Sequence, residues 1–190
     1  MSSPFNRRRL TTLEEQAYAE AKEHFAEHLK QFPASRLAVE RLERDMAKIA
    51  WAASMAASQI PAANPIAIDD GKPWFRDVGL MDNIYLCHRP ITGGVEYAVV
   101  EHFPAGNRNE IWNRGWNAGE VLKTFVQEQR QALQVWTEDL ATQVREFLAE
   151  AYPGQEMSRA TSSFMHQLGR TVSERATQAP DQNHSRSIRI

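Results

Sequence analysis

One run of apolar residues, between positions 118 and 151, constrains the fold of this chain more than any other feature. Its members alternate spacings of four and three, apart from gaps at Gln129 and Gln143, and they are Leu122, Val126, Leu133, Trp136, Leu140 and Phe147. The period predicts a single helix of roughly 50 Å that ends before Pro153-Gly154. A helix this long needs a packing partner, which is either the N-terminal helices or a second copy of the protein.

Two more helices are predicted in the N-terminal third. Apolar residues recur at helical spacing from Thr12, which with Glu15 has the spacing of a capping box, to Pro33, which is expected to end the first helix. A second helix restarts near Ser35 and stops at Pro61. Because one proline separates them, the two helices are predicted to form a helical hairpin.

The middle of the chain has the period of strands. Runs rich in Ile, Tyr and Val flank Gly93-Gly94, and Asp70-Gly71 lies between two shorter apolar runs. We therefore expect a small antiparallel sheet of two to four strands between about residues 65 and 103, followed by the long helix and a shorter final helix near 156–176. The predicted fold class is α+β, predominantly α-helical.

Length and charge limit the domain count and the class of protein. One mainly helical domain with a small β-hairpin insertion is predicted over residues 11–176, with a flexible arm at 1–10 and a flexible tail at 177–190. The formal charge of −2 argues against a general polyanion-binding protein, which usually carries a basic excess. A single cysteine fits a reducing compartment, and no signal peptide or membrane span is visible, so we expect a cytoplasmic protein.

The stretch "HFAEH", residues 24–28, has the H-x-x-E-H form and in that limited sense resembles the inverzincin metalloproteases. The resemblance implies that His24 and His28 bind zinc, that Glu27 is the general base, and that a downstream carboxylate such as Glu101 completes the site. The competing interpretation is an ordinary helix whose two histidines mostly face the core. Short motifs often arise by chance, so we prefer packing, expect no metal or other cofactor, and keep a zinc hydrolase as a remote alternative.

The stretch "GNRNEIWNRGWNAGE", residues 106–120, spaces Trp112 and Trp116 to lie on one face of a helical turn. We favour the interpretation that both rings are buried against a neighbouring element, while an exposed ring would indicate an anchor for a protein partner. Stacking on single-stranded bases is the other functional interpretation. The candidate partner-binding residues are Trp112, Trp116, Arg108, Arg114, Arg186 and Arg189.

The predicted hairpin also carries a cysteine and two histidines. Cys87 and His88 are adjacent, so on a strand their side chains point to opposite faces and do not form a nucleophile and its base. His102 is expected opposite Tyr85 or Ile84, and neither register sets it across from the thiol. A structural cysteine is therefore expected.

These features favour a non-enzymatic interaction protein, namely an adaptor, assembly factor or inhibitor that docks on a larger protein or protein complex. The prediction depends on the missing catalytic constellation, the long heptad-like helix, the Trp/Arg stretch and the arginine-bearing termini. The small, tail-bearing chain suits a phage or mobile-element protein. A nucleic-acid-associated protein is the alternative, and a homo-oligomer formed through the 118–151 helix stays open.

Overall fold

The computed structural model describes residues 10–59, 65–69, 71–106 and 108–178. The fold class predicted from the sequence is confirmed, because the protein is a mixed α+β protein with a helical majority. Its elements are α1 (Thr12–His24), α2 (Ala26–Ala57), β1 (Ala67–Asp69), β2 (Lys72–Met81), β3 (Ile84–Ile91), β4 (Gly94–Phe103), the 3-10 turn Pro104–Gly106, β5 (Arg108–Gly115), α3 (Ala118–Ala151) and α4 (Ser158–Gln178).

The chain divides into two compact units. The helical unit comprises residues 1–37 and 134–190, and the sheet unit comprises residues 38–133. Residues 1–9 of the predicted arm and 179–190 of the predicted tail lie outside the described residues. The single domain over 11–176 stays a prediction.

In the helical unit, α1 begins with a capping box one residue earlier than predicted. The Glu14 backbone N–H donates to Thr11 Oγ1 at 3.3 Å, and the Thr11 N–H donates to the Glu14 carboxylate at 2.8 Å. That carboxylate also lies 3.0 Å from Nε of Arg159 on α4, so the observed register adds an ion pair. The buried apolar residues of this unit include Ala17, Ala21, Phe25, Leu140, Val144, Leu148, Ala160 and Phe164.

The predicted joint at Pro33, with a restart near Ser35, is wrong. α1 and α2 are separated by Phe25 alone, and helical hydrogen bonds continue across it, from Phe25 N–H to the Ala21 carbonyl at 2.9 Å and from Leu29 N–H to the Phe25 carbonyl at 3.1 Å. α2 then runs through Pro33 without the turn expected of the hairpin. An internal proline removes one backbone hydrogen bond and costs about 3 kcal/mol, which a 32-residue helix can tolerate.

The sheet unit contains a five-stranded antiparallel meander in the order β1-β2-β3-β4-β5. It extends beyond the predicted boundary at residue 103, because residues 108–115 form β5. The register leaves two residues in each of the first three turns, and the second residue of each has a positive φ: Gly71 at 72°, Asn83 at 58° and Gly93 at 89°. A positive φ at this position favours glycine or asparagine.

The two faces of the sheet have separate apolar clusters. On the helix-covered face, strands β2 to β4 pack with α2 and α3, and the buried residues are Leu42, Ala53, Leu80, Ile84, Leu86, Tyr97, Val99, Ala118, Val121, Leu122, Phe125 and Val126. The opposite face has a smaller buried cluster of Trp74, Cys87, Ala98 and Val100. A Cβ added to Gly119 would lie 3.2 Å from Asn117 Oδ1, a tight contact, and 3.8 Å from Ala50 Cβ on α2, an ordinary van der Waals contact.

Candidate interaction surface on the sheet unit

The tryptophan-bearing stretch is a strand followed by a helix N-terminus, so the predicted helical turn is wrong. In the pairing of β4 with β5, Val99 lies opposite Asn113 while Val100 lies opposite Ile111. Trp112 is therefore the extra residue of a β-bulge. β5 has one β-branched residue, Ile111, and its two apolar residues, Ile111 and Trp112, are adjacent, which is why the sequence lacks the period of a strand here.

Trp112 is held on the helix-covered side of the sheet and is still 43% exposed. Its indole N–H donates to Oε2 of Glu101 at 3.0 Å. Its ring meets Phe125 of α3 edge to face, with centroids 5.7 Å apart. One side of the ring therefore contributes to packing, and the remainder faces solvent.

Trp116 is 71% exposed and lies in the short junction between β5 and α3. Both sides of this junction are fixed by asparagines. The Asn113 side chain donates to the Val121 carbonyl at 2.7 Å, and Asn117 Oδ1 accepts from the Glu120 N–H at 3.1 Å as an N-cap of α3. Burial of both tryptophans, the interpretation favoured from the sequence, is therefore wrong, and Trp116 is presented to solvent by a well-anchored segment.

The two predicted arginines that the structure describes have contacts within the sheet. Arg108 places its guanidinium 4.7 Å from the Phe103 ring centroid. Arg114 lies on the opposite face, across from Ala98, and its Nε is 4.0 Å from Oε1 of Glu96. Arg186 and Arg189 lie outside the described residues.

The sequence did not reveal that Arg89 is a buried cation on the opposite face of the sheet. Arg89 Nε donates to Oε2 of Glu96 at 2.6 Å, and its guanidinium lies 4.5 Å from the ring centroid of the fully buried Trp74. Arg89 and Glu96 are cross-strand partners, so a hairpin register counted outward from the turn would have found the pair.

A second buried pair lies on the helix-covered face. His88 Nδ1 is hydrogen-bonded to Asp77 Oδ1 at 2.7 Å, and both side chains are almost wholly buried. Among the described residues, Asp77 Oδ2 has no hydrogen-bond partner. Burial raises the pKa of Asp77, and the His88 hydrogen bond partly opposes that shift. Asp77 lies at a register shift between Arg76 and Val78, which sequence spacing does not reveal.

Cys87 is the structural cysteine that the sequence predicts. It is fully buried opposite Ala98, and its Sγ lies 3.8 Å from the Tyr85 carbonyl. The predicted positions of His102 are wrong, because its backbone N–H donates to the Asn83 carbonyl at 2.8 Å, beyond the end of the β3–β4 ladder. Burial, together with the nearby Asp77 charge, raises the pKa of the Cys87 thiol far above neutrality.

We therefore expect native Cys87 to resist labelling by a thiol reagent such as Ellman's reagent at neutral pH. The thiol is both buried and protonated, so its reaction should be slower than that of a small-molecule thiol by about two orders of magnitude or more. In concentrated urea one thiol per chain should react rapidly, which serves as the control. Fast stoichiometric labelling of the folded protein would show that the thiol is accessible.

The predicted zinc residues have other contacts. The His24 ring stacks on Phe147 with centroids 4.2 Å apart, and the His28 ring meets the edge of Phe25 at 5.8 Å. Both histidines are exposed, so the expectation that they mostly face the core is wrong. Glu101 is the acceptor of the indole hydrogen bond described above. In the part of the chain that the structure describes, no group of three or more His, Cys, Asp or Glu side chains is placed to hold a metal ion.

No family model matches the chain, and searches of curated proteins and of solved structures find no similar protein. No helix within the described ranges is long and apolar enough to cross a membrane.

Proposed function

We propose that this protein is a non-enzymatic interaction protein, an adaptor, assembly factor or inhibitor that docks on a larger cytoplasmic protein, with a phage or mobile-element origin as part of the same proposal. The observation that carries it is the exposure of Trp116 on a junction held by Asn113 and Asn117. Tryptophan is enriched among the residues that dominate binding energy. A junction anchored in advance loses little conformational entropy when a partner covers it.

The wider distribution of tryptophan supports the proposal. Three of the five tryptophans in the chain, Trp51, Trp112 and Trp116, are exposed, and all three lie in the sheet unit. Single exposed apolar residues are common in monomeric proteins. Indole rings that a partner covers at an interface contribute a large apolar contact area.

The nucleic-acid alternative has less support. Of the arginines expected to contact phosphates, Arg108 stacks on Phe103 and Arg114 lies near the Glu96 carboxylate. The overall charge of −2 supplies no basic excess. This alternative becomes an outcome of the test that follows.

We expect Trp116→Ala to reduce recovery of the partner at least tenfold in affinity capture of the tagged protein from lysate of its source organism. Truncation of an interface tryptophan typically costs about 2 kcal/mol or more of binding energy. The same change on an exposed side chain should alter the free energy of unfolding by only about 0.5 kcal/mol. Capture is quantified by mass spectrometry, and thermal unfolding by circular dichroism.

The matched control is Val135→Ala, which removes another exposed apolar side chain, from the helical unit. It should leave recovery unchanged. Equal recovery with Trp116→Ala and the wild type would contradict the proposed site. Partners that disappear on nuclease treatment would favour the nucleic-acid alternative.

A further inference from the structure

Within the sheet unit, α2 has an inner apolar face and an outward stripe that combines basic and apolar side chains. The inner positions Leu42, Met46, Ile49 and Ala53 belong to the core cluster or pack against it. The outward stripe consists of Arg44, Lys48, Trp51 and Met55. At about 100° per residue, Trp51 lies roughly 160° around the helix from the fully buried Ala53, so the outward stripe points away from the sheet.

We propose that the outward stripe of α2 is a docking seam for an acidic amphipathic helix of a partner protein. The seam adds a second contact surface to the proposed function and does not require Trp116. The stripe residues follow one another at intervals of four, three and four, which is the spacing of the contact positions in a two-helix coiled coil. Because an α-helix rises about 1.5 Å per residue, the stripe extends along roughly three helical turns.

The apolar end of the stripe supplies the anchor. Trp51 is 67% exposed, and Met55, one turn further on, is also exposed. Ala47 and Ser54, exposed beside them, are small residues that allow another helix to approach closely. The indole and thioether side chains can be buried together against the apolar face of an amphipathic helix.

The other end of the stripe specifies the charge of the partner. Arg44 and Lys48 are 72% and 85% exposed and share a single carboxylate, that of Asp45, at 3.3 Å and 3.8 Å. Asp45 is only 27% exposed, so the cations are the groups presented to solvent. Surface pairs of this kind contribute about 0–1 kcal/mol, so carboxylates on a partner helix can bind both cations at little cost.

A second copy of the chain fits the stripe less well. An antiparallel pair centred on Trp51 would set Arg44 against Ser58 of the other copy and Lys48 against Ser54, and a parallel pair would set each cation against itself. Neither arrangement sets a carboxylate directly opposite Arg44 or Lys48. A membrane surface is also a poorer fit, because two apolar side chains form a much smaller inserted face than interfacial helices use.

The test uses two synthetic helical peptides that share leucine at the contact positions and differ only in carrying glutamate or lysine at the flanking positions. The full-length protein is titrated with each peptide by calorimetry, and the Trp51 indole N–H is followed by NMR. We expect the glutamate peptide to bind at least tenfold more tightly than the lysine peptide and to shift the Trp51 signal. Trp51→Ala should weaken binding at least tenfold, and Lys48→Glu should reverse the preference between the peptides.

Trp116→Ala is the matched control and should bind the glutamate peptide as the wild type does. Equal affinity for both peptides, no binding of either, or unchanged selectivity in Lys48→Glu overturns the docking seam. Binding to phosphatidylserine vesicles without binding to the glutamate peptide also overturns it, in favour of a membrane surface. Equal recovery of the captured partner with Trp116→Ala and the wild type would overturn the proposed function alone, because the peptide titration does not involve that residue.

Discussion

Phe125→Ala is expected to lower the free energy of unfolding by about 3–5 kcal/mol. Phe125 is fully buried in the cluster on the helix-covered face, and its ring also meets Trp112. Truncation would leave a cavity between α3 and the sheet and would remove the packing contact of the Trp112 ring. Because small domains are stable by only about 5–15 kcal/mol, urea unfolding followed by circular dichroism should show a large decrease in the midpoint.

Lys123→Ala provides the matched control, since Lys123 is exposed on the same helix two residues away. It should change the free energy of unfolding by no more than about 0.5 kcal/mol. A loss below about 1 kcal/mol for Phe125→Ala would show that this ring is not part of a closely packed core.

Asp77→Ala should be the other strongly destabilising change, by about 1–3 kcal/mol, because it leaves His88 buried without its hydrogen-bond partner. Asp77→Asn preserves the size of the side chain and removes its titration. We therefore expect Asp77→Asn to cost less than Asp77→Ala in urea unfolding at neutral pH. Equal and small losses for both variants would contradict a structural role for the pair.

The Asp77–His88 pair also predicts that the free energy of unfolding depends on pH. Burial raises the pKa of Asp77 above its ordinary value of 3.8, so the folded protein holds this proton to a higher pH than the unfolded chain does. The stability that Asp77 contributes is fully present at a pH below its ordinary pKa and is lost as the pH rises through its raised pKa in the folded protein. The difference in unfolding free energy, wild type minus Asp77→Asn, should therefore fall over that window. A difference that stays constant or rises with pH over that window would contradict the shift.

The helix α3 could be predicted from the sequence because strong local signals agree. The apolar period is close to 3.5 residues, and Pro153-Gly154 ends it, with Gly154 at a φ of 77°. The first and third turns of the sheet were likewise marked by glycines. The course of α2 through Pro33 could not be predicted, because a local rule against proline competes there with the cooperativity of a long helix.

The site was less predictable than the fold. Trp112 and Trp116 are four residues apart. This spacing fits one face of a helix, and it also fits a strand with a bulge, so the sequence did not distinguish a helix from a strand here. Trp51 was overlooked because its exposure depends on which face of α2 meets the sheet. The Asp77–His88 pair depends on a register shift that only the assembled sheet defines.

The most direct test of the central claim is photo-crosslinking from position 116. A benzophenone amino acid at this position keeps an aromatic group on the junction, and the same group at position 135 is the control on another exposed site. The account predicts that position 116 gives a covalent adduct with one defined protein partner, with or without nuclease, and that position 135 does not. The account is contradicted if the partner is captured by the tagged protein while position 116 gives no adduct, or if both positions give the same products.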